Sequence, residues 1–172
     1  EMCGRDWSSD VCSSDLELIK LSQKSSVPVI TDPKNTDVSI YKGSTVIKPN
    51  FKESLDFFKY NSKASKDFSS EDESLKSIAE FYRKKSQSLN IVMSLSEKGA
   101  YVSGKDMEAP ERLKTHAIQV SDVSGAGDTF ISFIAMGLAV KRELKASVEL
   151  GNIAAGCVCA KRGTATVSLG EL

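Results

Sequence analysis

Residues 120–133, VSDVSGAGDTFISF, place Gly125, Ala126 and Gly127 directly before Asp128 and an almost unbroken apolar run. A Gly-Ala-Gly turn that opens a helix presents backbone N–H groups unshielded by bulky side chains. The helix dipole adds positive potential at that end, so the turn is an anion site by geometry. Asp128 falls in the first helical turn, where its carboxylate can accept a proton from an attacking hydroxyl. An anion cradle beside a carboxylate base is what phosphoryl transfer to an alcohol requires, because catalysis there is mostly positioning and charge stabilisation. The same residues also read as a glycine turn with an aspartate helix cap, and the local sequence leaves both readings open.

Two further clusters share a setting with this one. Asp32 and Lys34 follow the short apolar run VPVIT, and Asn50–Glu53 follow STVIK. Asp122–Asp128 follow THAIQV. All three lie past the carboxyl ends of expected strands, the edge at which open α/β sheets bind ligands. Two rival phosphate motifs fail. There is no G-x-x-x-x-G-K-[ST], which excludes a P-loop. The glycines read G-x-G-x-x-F, with Phe130 where a dinucleotide fold needs a small residue, and the next acid, Glu149, falls inside an expected helix. A dinucleotide-binding oxidoreductase is the weaker alternative.

The elements that must position these clusters alternate. ELIKLSQKS reads as the end of a helix and VPVIT as a buried strand. STVIK is a second strand, followed by a helix over FKESLDFFKY with Glu53 in its first turn. In SSEDESLKSIAEFYRKKSQSL, the residues Leu75, Ile78, Ala79 and Tyr82 form the stripe of an amphipathic helix. NIVMSL and GAYVSG give two more strands. The helix after Gly125 is apolar nearly all round and is expected to be internal. ASVELGNIAAGCVCAKR is a helix rich in small residues, suited to close packing, with Lys161 and Arg162 as a basic last turn and Gly163 as its stop. Strands alternating with helices imply an α/β fold with a mostly parallel sheet.

Composition sets the outer limits. The 172 residues are enough for one domain core, and 23 basic against 23 acidic side chains give no bulk attraction to nucleic acid or to an anionic membrane. No apolar run approaches the roughly 20 residues of a membrane span. Cys157 and Cys159 lack zinc-site spacing and read as small core residues in a reducing, cytoplasmic setting. The single histidine, His116, has no Ser or Cys pairing suggested nearby and reads as a surface or satisfied histidine. Residues 1–16, EMCGRDWSSDVCSSDL, have no helical or strand period and are not a signal peptide; they resemble translated adapter read-through. The native portion is therefore expected over 17–172, continuing upstream of Glu17 in the natural protein.

The motif DVSGAGDTF resembles the C-terminal signature D-T-x-G-A-G-D of the ribokinase-like carbohydrate kinases of phosphofructokinase-B type. Asn50 and Glu53 match that family's N-x-x-E, and MSLSEKGAYV resembles its T-L-G-x-x-G nucleotide loop, with Ser96 in place of the usual glycine. VITDPK, YKGSTVIKPNFKE, SDVSGAGDT and GNIAAGCVCAKRGTATVS together narrow the resemblance to the D-glycero-β-D-manno-heptose 7-phosphate kinases. The resemblance implies a ribokinase-like three-layer α/β sandwich truncated at its N-terminus. It implies an ATP-dependent kinase that phosphorylates O1 of that sugar phosphate to the 1,7-bisphosphate, in ADP-heptose and lipopolysaccharide core synthesis.

By the same resemblance Asp128 is the catalytic base and Gly125, Ala126 and Gly127 form the anion hole. Asn50, Phe51, Lys52 and Glu53, together with Ser96, Gly99 and Asn152, contact ATP and magnesium, with Glu53 reaching the metal indirectly. Asp32, Lys34 and Asp122 are candidate phosphate or substrate contacts, while Lys161 reads as a helix-end cation. ATP and Mg2+ are the implied cofactors and a small sugar phosphate the partner, with a homodimer expected of the full-length protein. The alternatives are another ribokinase-like sugar or nucleoside kinase and an inactive partial domain, since the family's lid and much of its sugar pocket lie in an N-terminal half not present here. The 172-residue piece alone is expected to be inactive.

Overall fold

The structure, a computed structural model, describes residues 13–34, 37–62, 68–115 and 120–172. His116 and most of the strand expected at THAIQV lie outside the described residues, as do residues 1–12. The chain divides into two compact units. The first comprises the chain to Met93 with Ser103–Pro110, and the second comprises Ser94–Val102 with Glu111–Leu172.

In the first unit, helix α1 (Ser13–Ser25) leads to strand β1 (Ile30–Thr31), a 3-10 turn at Val38–Tyr41 and strand β2 (Val46–Ile47). Helices α2 (Phe51–Ser62) and α3 (Glu71–Ser86) follow, then strand β3 (Asn90–Ser94). Helix α1 begins four residues ahead of Glu17, inside the segment read as non-native, because a first helical turn can form from polar residues that show no apolar period. Strands β1, β2 and β3 pair in parallel, Ile30 beside Val46 and Ile47 beside Ile91. Val46, Ile47, Ile91, Val92 and Met93 are all fully buried. Burial on both faces is why these strands read as continuous apolar runs.

The expected stripe of α3 is the one observed, with Leu75, Ile78, Ala79 and Tyr82 all buried. Ser70 caps the helix by accepting from the Glu73 amide at 3.2 Å, and three acids occupy its first turn. Phe57 meets Tyr82 at 4.6 Å between ring centroids, and Phe58 meets Phe81 edge-on at 5.1 Å. These tilted pairs lock α2 on α3 and so fix where the amino end of α2 points.

The second unit holds strand β4 (Ala100–Gly104, its last two residues in the first unit), strand β5 (Glu111–Leu113) and helices α4 (Ala126–Ala139) and α5 (Leu144–Cys159). Strand β5 was not expected, because ERL offers a single apolar residue. It forms by antiparallel pairing, Ala100 opposite Leu113 and Val102 opposite Glu111. Helix α4 corrects the expectation of an internal helix. Only Phe130, Ile134 and Gly137 are buried, while Met136 and Val140 are exposed. The reason is that its partner in the unit, α5, covers one stripe. A Cβ on Gly151 would lie 2.8 Å from the Phe130 carbonyl oxygen, and one on Gly137 would lie 2.5 Å from Ser147 Oγ. The small residues of α5 thus allow the close approach the sequence implied.

Helix α5 also stops sooner than expected. It ends at Cys159, so Lys161 and Arg162 lie past it and are not its last turn, while Gly163 turns the chain at φ +71°. Lys161 is drawn instead to the tail, donating to the Thr166 carbonyl at 2.6 Å and pairing with Glu171 at 2.6 Å. Cys157 and Cys159 are half-buried and not in the core, because α5 turns that side toward the tail; the Cys157 thiol donates to the Glu171 carbonyl at 3.2 Å. Burial, followed by the charge of Asp122, pushes the Cys159 thiol up. No helix among the described residues is long and apolar enough to cross a membrane.

Candidate active site

The first unit gathers Asp32, Lys34, Asn50 and Glu53 at the carboxyl ends of β1 and β2. Asn50 and Glu53 close on each other at the start of α2. The Asn50 amide donates to Glu53 Oε2 at 2.8 Å, and the Glu53 amide donates to Asn50 Oδ1 at 2.8 Å. This is a reciprocal cap, and it satisfies two donors that a helix start would otherwise leave unpaired. The other Glu53 oxygen pairs with Lys34 Nζ at 3.5 Å, and Lys34 pairs with Asp32 Oδ2 at 3.1 Å. Burial works against the Lys34 charge, but the hydrogen bond and charge of Asp32, then Glu53, outweigh it and raise its pKa. Phe51 is half-buried and Lys52 is exposed.

Three participants in this cluster went unmarked in the sequence. Lys48, at the end of β2, is 4% exposed and has its ammonium 3.5 Å from Asp32 Oδ1. The Tyr41 hydroxyl accepts from the Lys34 amide at 3.3 Å. Tyr82 lies close enough to feel the cluster: burial, then the charges of Glu53, Tyr41 and Asp32, push its phenol well up. For Lys48 a signal was available. It continues a strand whose preceding two residues are buried on both faces, so it enters the edge of the core and not solvent.

Among the described residues no group of three or more His, Cys, Asp or Glu could hold a metal ion. Magnesium keeps most of its waters and is usually held by one or two carboxylates plus substrate phosphates. With Glu53 Oε2 accepting from an amide and Oε1 facing Lys34, the donor set fits contact with Mg2+ through water.

The second unit carries the glycine turn. Gly125 sits at φ +79°, the left-handed region that a residue with a Cβ enters at a cost, and is the N-cap of α4. The Ala126 amide is already used, donating to the Val123 carbonyl at 3.2 Å. The amides of Gly127 and Asp128 have no acceptor among the described residues, and the Asp128 carboxylate has no hydrogen-bond or ion-pair partner there. A Cβ on Gly127 would meet nothing within 4 Å. The turn therefore opens outward, with two unpaired donors and an exposed carboxylate side by side.

Asp122, the other acid of this motif, is committed elsewhere. It accepts from the Ser124 amide at 2.9 Å and from the Gly163 amide at 3.0 Å, tying the turn to the chain beyond α5. The Ser124 bonds first, then that from Gly163, hold its carboxyl below the usual range. Asn152 is similarly engaged, its side-chain amide donating to the Lys114 carbonyl at 2.7 Å. In the 96–99 turn, exposed Ser96 takes φ +54°, which accounts for the glycine usual at such a position. Gly99 is at φ +89°, and a Cβ there would lie 2.0 Å from the Leu113 carbonyl. No hydrogen bond joins Ser96 or Gly99 to residues 122–128 among the described residues.

The pfkB family of carbohydrate kinases matches residues 7–170. The bifunctional protein HldE of Haemophilus influenzae is 38% identical over 156 residues, covering 91% of this chain and 31% of the relative. HldE of Granulibacter bethesdensis is 35% identical over 160 residues, covering 90% and 32%. The chain thus spans about a third of the length of these curated relatives. Arabidopsis thaliana ribokinase, solved with ribose and ATP, superposes with a TM-score of 0.73 at 20% identity, over 88% of this chain and 47% of the ribokinase. Escherichia coli phosphofructokinase-2, solved with potassium, gives 0.73 at 21% identity over 91% and 48%. The fold is the ribokinase-like α/β sandwich, and the chain belongs to the pfkB family of carbohydrate kinases.

Proposed function

We propose that this chain carries the catalytic base and the nucleotide-facing residues of an ATP-dependent kinase acting on D-glycero-β-D-manno-heptose 7-phosphate. The observation that carries the reading is the outward-facing start of α4, where exposed Asp128 stands beside two amides that have no acceptor among the described residues. Asp128 takes the proton of the sugar O1 hydroxyl. That oxygen bonds to the γ-phosphorus of ATP as the bond to the β–γ bridging oxygen breaks, giving the 1,7-bisphosphate and ADP. The amides of Gly127 and Asp128, at the positive end of α4, stabilise charge on the transferred phosphoryl group. Asn50 and Glu53 would face the nucleotide phosphates, and Glu53 would hold the metal indirectly, through water. When bound, Mg2+ neutralises phosphate charge.

The resemblance of VITDPK, YKGSTVIKPNFKE, SDVSGAGDT and GNIAAGCVCAKRGTATVS to the heptose 7-phosphate kinases supports the heptose substrate over other sugars, and the HldE relatives match 90–91% of this chain at 35–38% identity. The direct test is Asp128→Asn in the full-length protein that carries this sequence. Turnover should fall by roughly 10²–10⁴-fold, the usual contribution of a positioned base, with nucleotide affinity nearly unchanged. Near-normal turnover would remove Asp128 from the mechanism. Assayed on a panel, the same protein should prefer heptose 7-phosphate; phosphorylation of ribose or fructose 6-phosphate with heptose 7-phosphate ignored would favour a different sugar kinase of the same family.

A further inference from the structure

Lys48 is the one lysine buried among the described residues, 4% exposed, and it sits where β2 delivers the chain to the Asn50 cap. Its ammonium is 3.5 Å from Asp32 Oδ1, beyond hydrogen-bond length, and that oxygen is buried with no hydrogen-bond partner. The opposite Asp32 oxygen holds Lys34 at 3.1 Å, and Lys34 in turn faces Glu53 at 3.5 Å. The charges alternate along one row: Lys48, Asp32, Lys34, Glu53. Only its root is buried, the Lys48 side chain being 5% exposed against 26% for Asp32, 63% for Lys34 and 34% for Glu53. A buried ion pair adds little stability over an apolar pair of similar size, because desolvation consumes the attraction. Removing one partner is costly, since the other charge is left buried alone. A buried lysine at the root of such a row is thus poorly explained by stability. It is well explained by aim: a charge fixed in the core cannot swing, so it fixes the carboxylate it faces.

We propose that Lys48 is a positioning residue that sets Asp32, and through it Lys34 and Glu53, in the arrangement the nucleotide requires. The proposal rests on Glu53 facing the nucleotide and its metal, as set out above. Lys48 itself touches neither. Partners that act one shell behind a metal-facing group commonly change affinity on the order of tenfold to a hundredfold.

The experiment measures Mg2+–ATP affinity by calorimetry for the full-length protein that carries this sequence and for its Lys48→Met, Lys48→Arg, Glu53→Gln and Lys48→Met/Glu53→Gln double variants. Lys48→Met should weaken binding about tenfold, Lys48→Arg should recover most of it, and Lys48→Met should add nothing once Glu53 is neutral. Unchanged affinity in a folded Lys48→Met chain, or losses that simply add in the double variant, would overturn the proposal. A second cycle needs no ligand. Lys48 and Lys34 share Asp32 between them, so the shifts in unfolding temperature for Lys48→Met and Lys34→Met should not add; additive shifts would overturn the row. Glu53→Gln binding Mg2+–ATP as tightly as the parent would sink the nucleotide reading of Glu53, and the ligand-free cycle would then decide the row by itself. Should Lys48→Met fail to fold, Asp32→Asn, of equal size, replaces it in both cycles with the same expected outcomes.

Discussion

At the amino end of α2, the Asn50 side-chain oxygen, the Asn50 amide and both Glu53 oxygens already have protein partners. At the amino end of α4, two amides and a carboxylate have none among the described residues. Both are helix starts that carry an acid in the first turn. One acid closes its own helix; the other leaves the helix start open. A closed cap holds its carboxylate in one orientation before any ligand arrives, which suits the role proposed for Glu53 at the nucleotide. An open start keeps donors and a base available for groups that appear only during the reaction, when differential stabilisation counts.

The comparison breaks most sharply at the two acids' neighbours. Asp128→Asn should abolish most turnover while leaving thermal unfolding nearly unchanged, because no side chain or amide among the described residues pairs with that carboxylate. Asn50→Ala should do the reverse in kind, costing about 1 kcal/mol of stability through the lost cap and loosening Glu53. Calorimetric unfolding of the two variants side by side checks this. Equal destabilisation by both would mean that α4 is capped like α2 and that its apparent openness is not a functional property.

How much of this was legible in the sequence follows from which physical signal each feature leaves. Strands β1 to β4 and helices α2 and α3 announce themselves through apolar runs and the Leu75–Ile78–Ala79–Tyr82 period. Strand β5 leaves no such trace, since Glu111 and Arg112 give it no apolar pattern and only its partner β4 specifies it. The open face of α4 was equally hidden. An all-apolar helix tells how many sides could be buried, not how many neighbours there are. The S/T/D/N-x-x-E cap signature was present in Asn50–Glu53, but its reading as a nucleotide motif masked its reading as a cap. Lys48 was overlooked because a lysine at a strand end is normally solvated, and only the neighbouring charge of Asp32 makes its burial tolerable.

A smaller effect sharpens the open half of the comparison. Gly127 has ordinary helical geometry and empty space where a Cβ would stand. Gly127→Ala should therefore stabilise the chain by about 0.5 kcal/mol through reduced backbone entropy in the unfolded state. The added methyl would nevertheless stand at the mouth beside the amides proposed to meet the phosphoryl group. A higher unfolding temperature together with weaker nucleotide binding or slower turnover is the expected pair of outcomes. Stabilisation with full activity would show that Gly127 is dispensable to the site, leaving only the left-handed Gly125 required.

The smallest effect concerns the tail that backs the glycine turn. Glu171 is held down from 4.5 to about 2, first by its hydrogen bond with Lys161, then by the amide and hydroxyl of Ser168. Asp122, which ties the turn to Gly163, is shifted in the same direction by its own amide bonds. A carboxylate whose folded pKa is depressed contributes stability that is fully present above its unfolded value. That contribution disappears as pH falls through the folded value. The Glu171 share should thus hold above pH 4.5 and fade toward pH 2. Both groups are exposed, so salt should weaken the effect. Amide exchange at Ser168 and Glu171, corrected for intrinsic rates, should speed up across that window in the parent chain. In Glu171→Gln it should already be faster at neutral pH and show a flatter pH dependence. If the parent and Glu171→Gln accelerate identically, another group controls the tail, with Asp122 the first to test by Asp122→Asn.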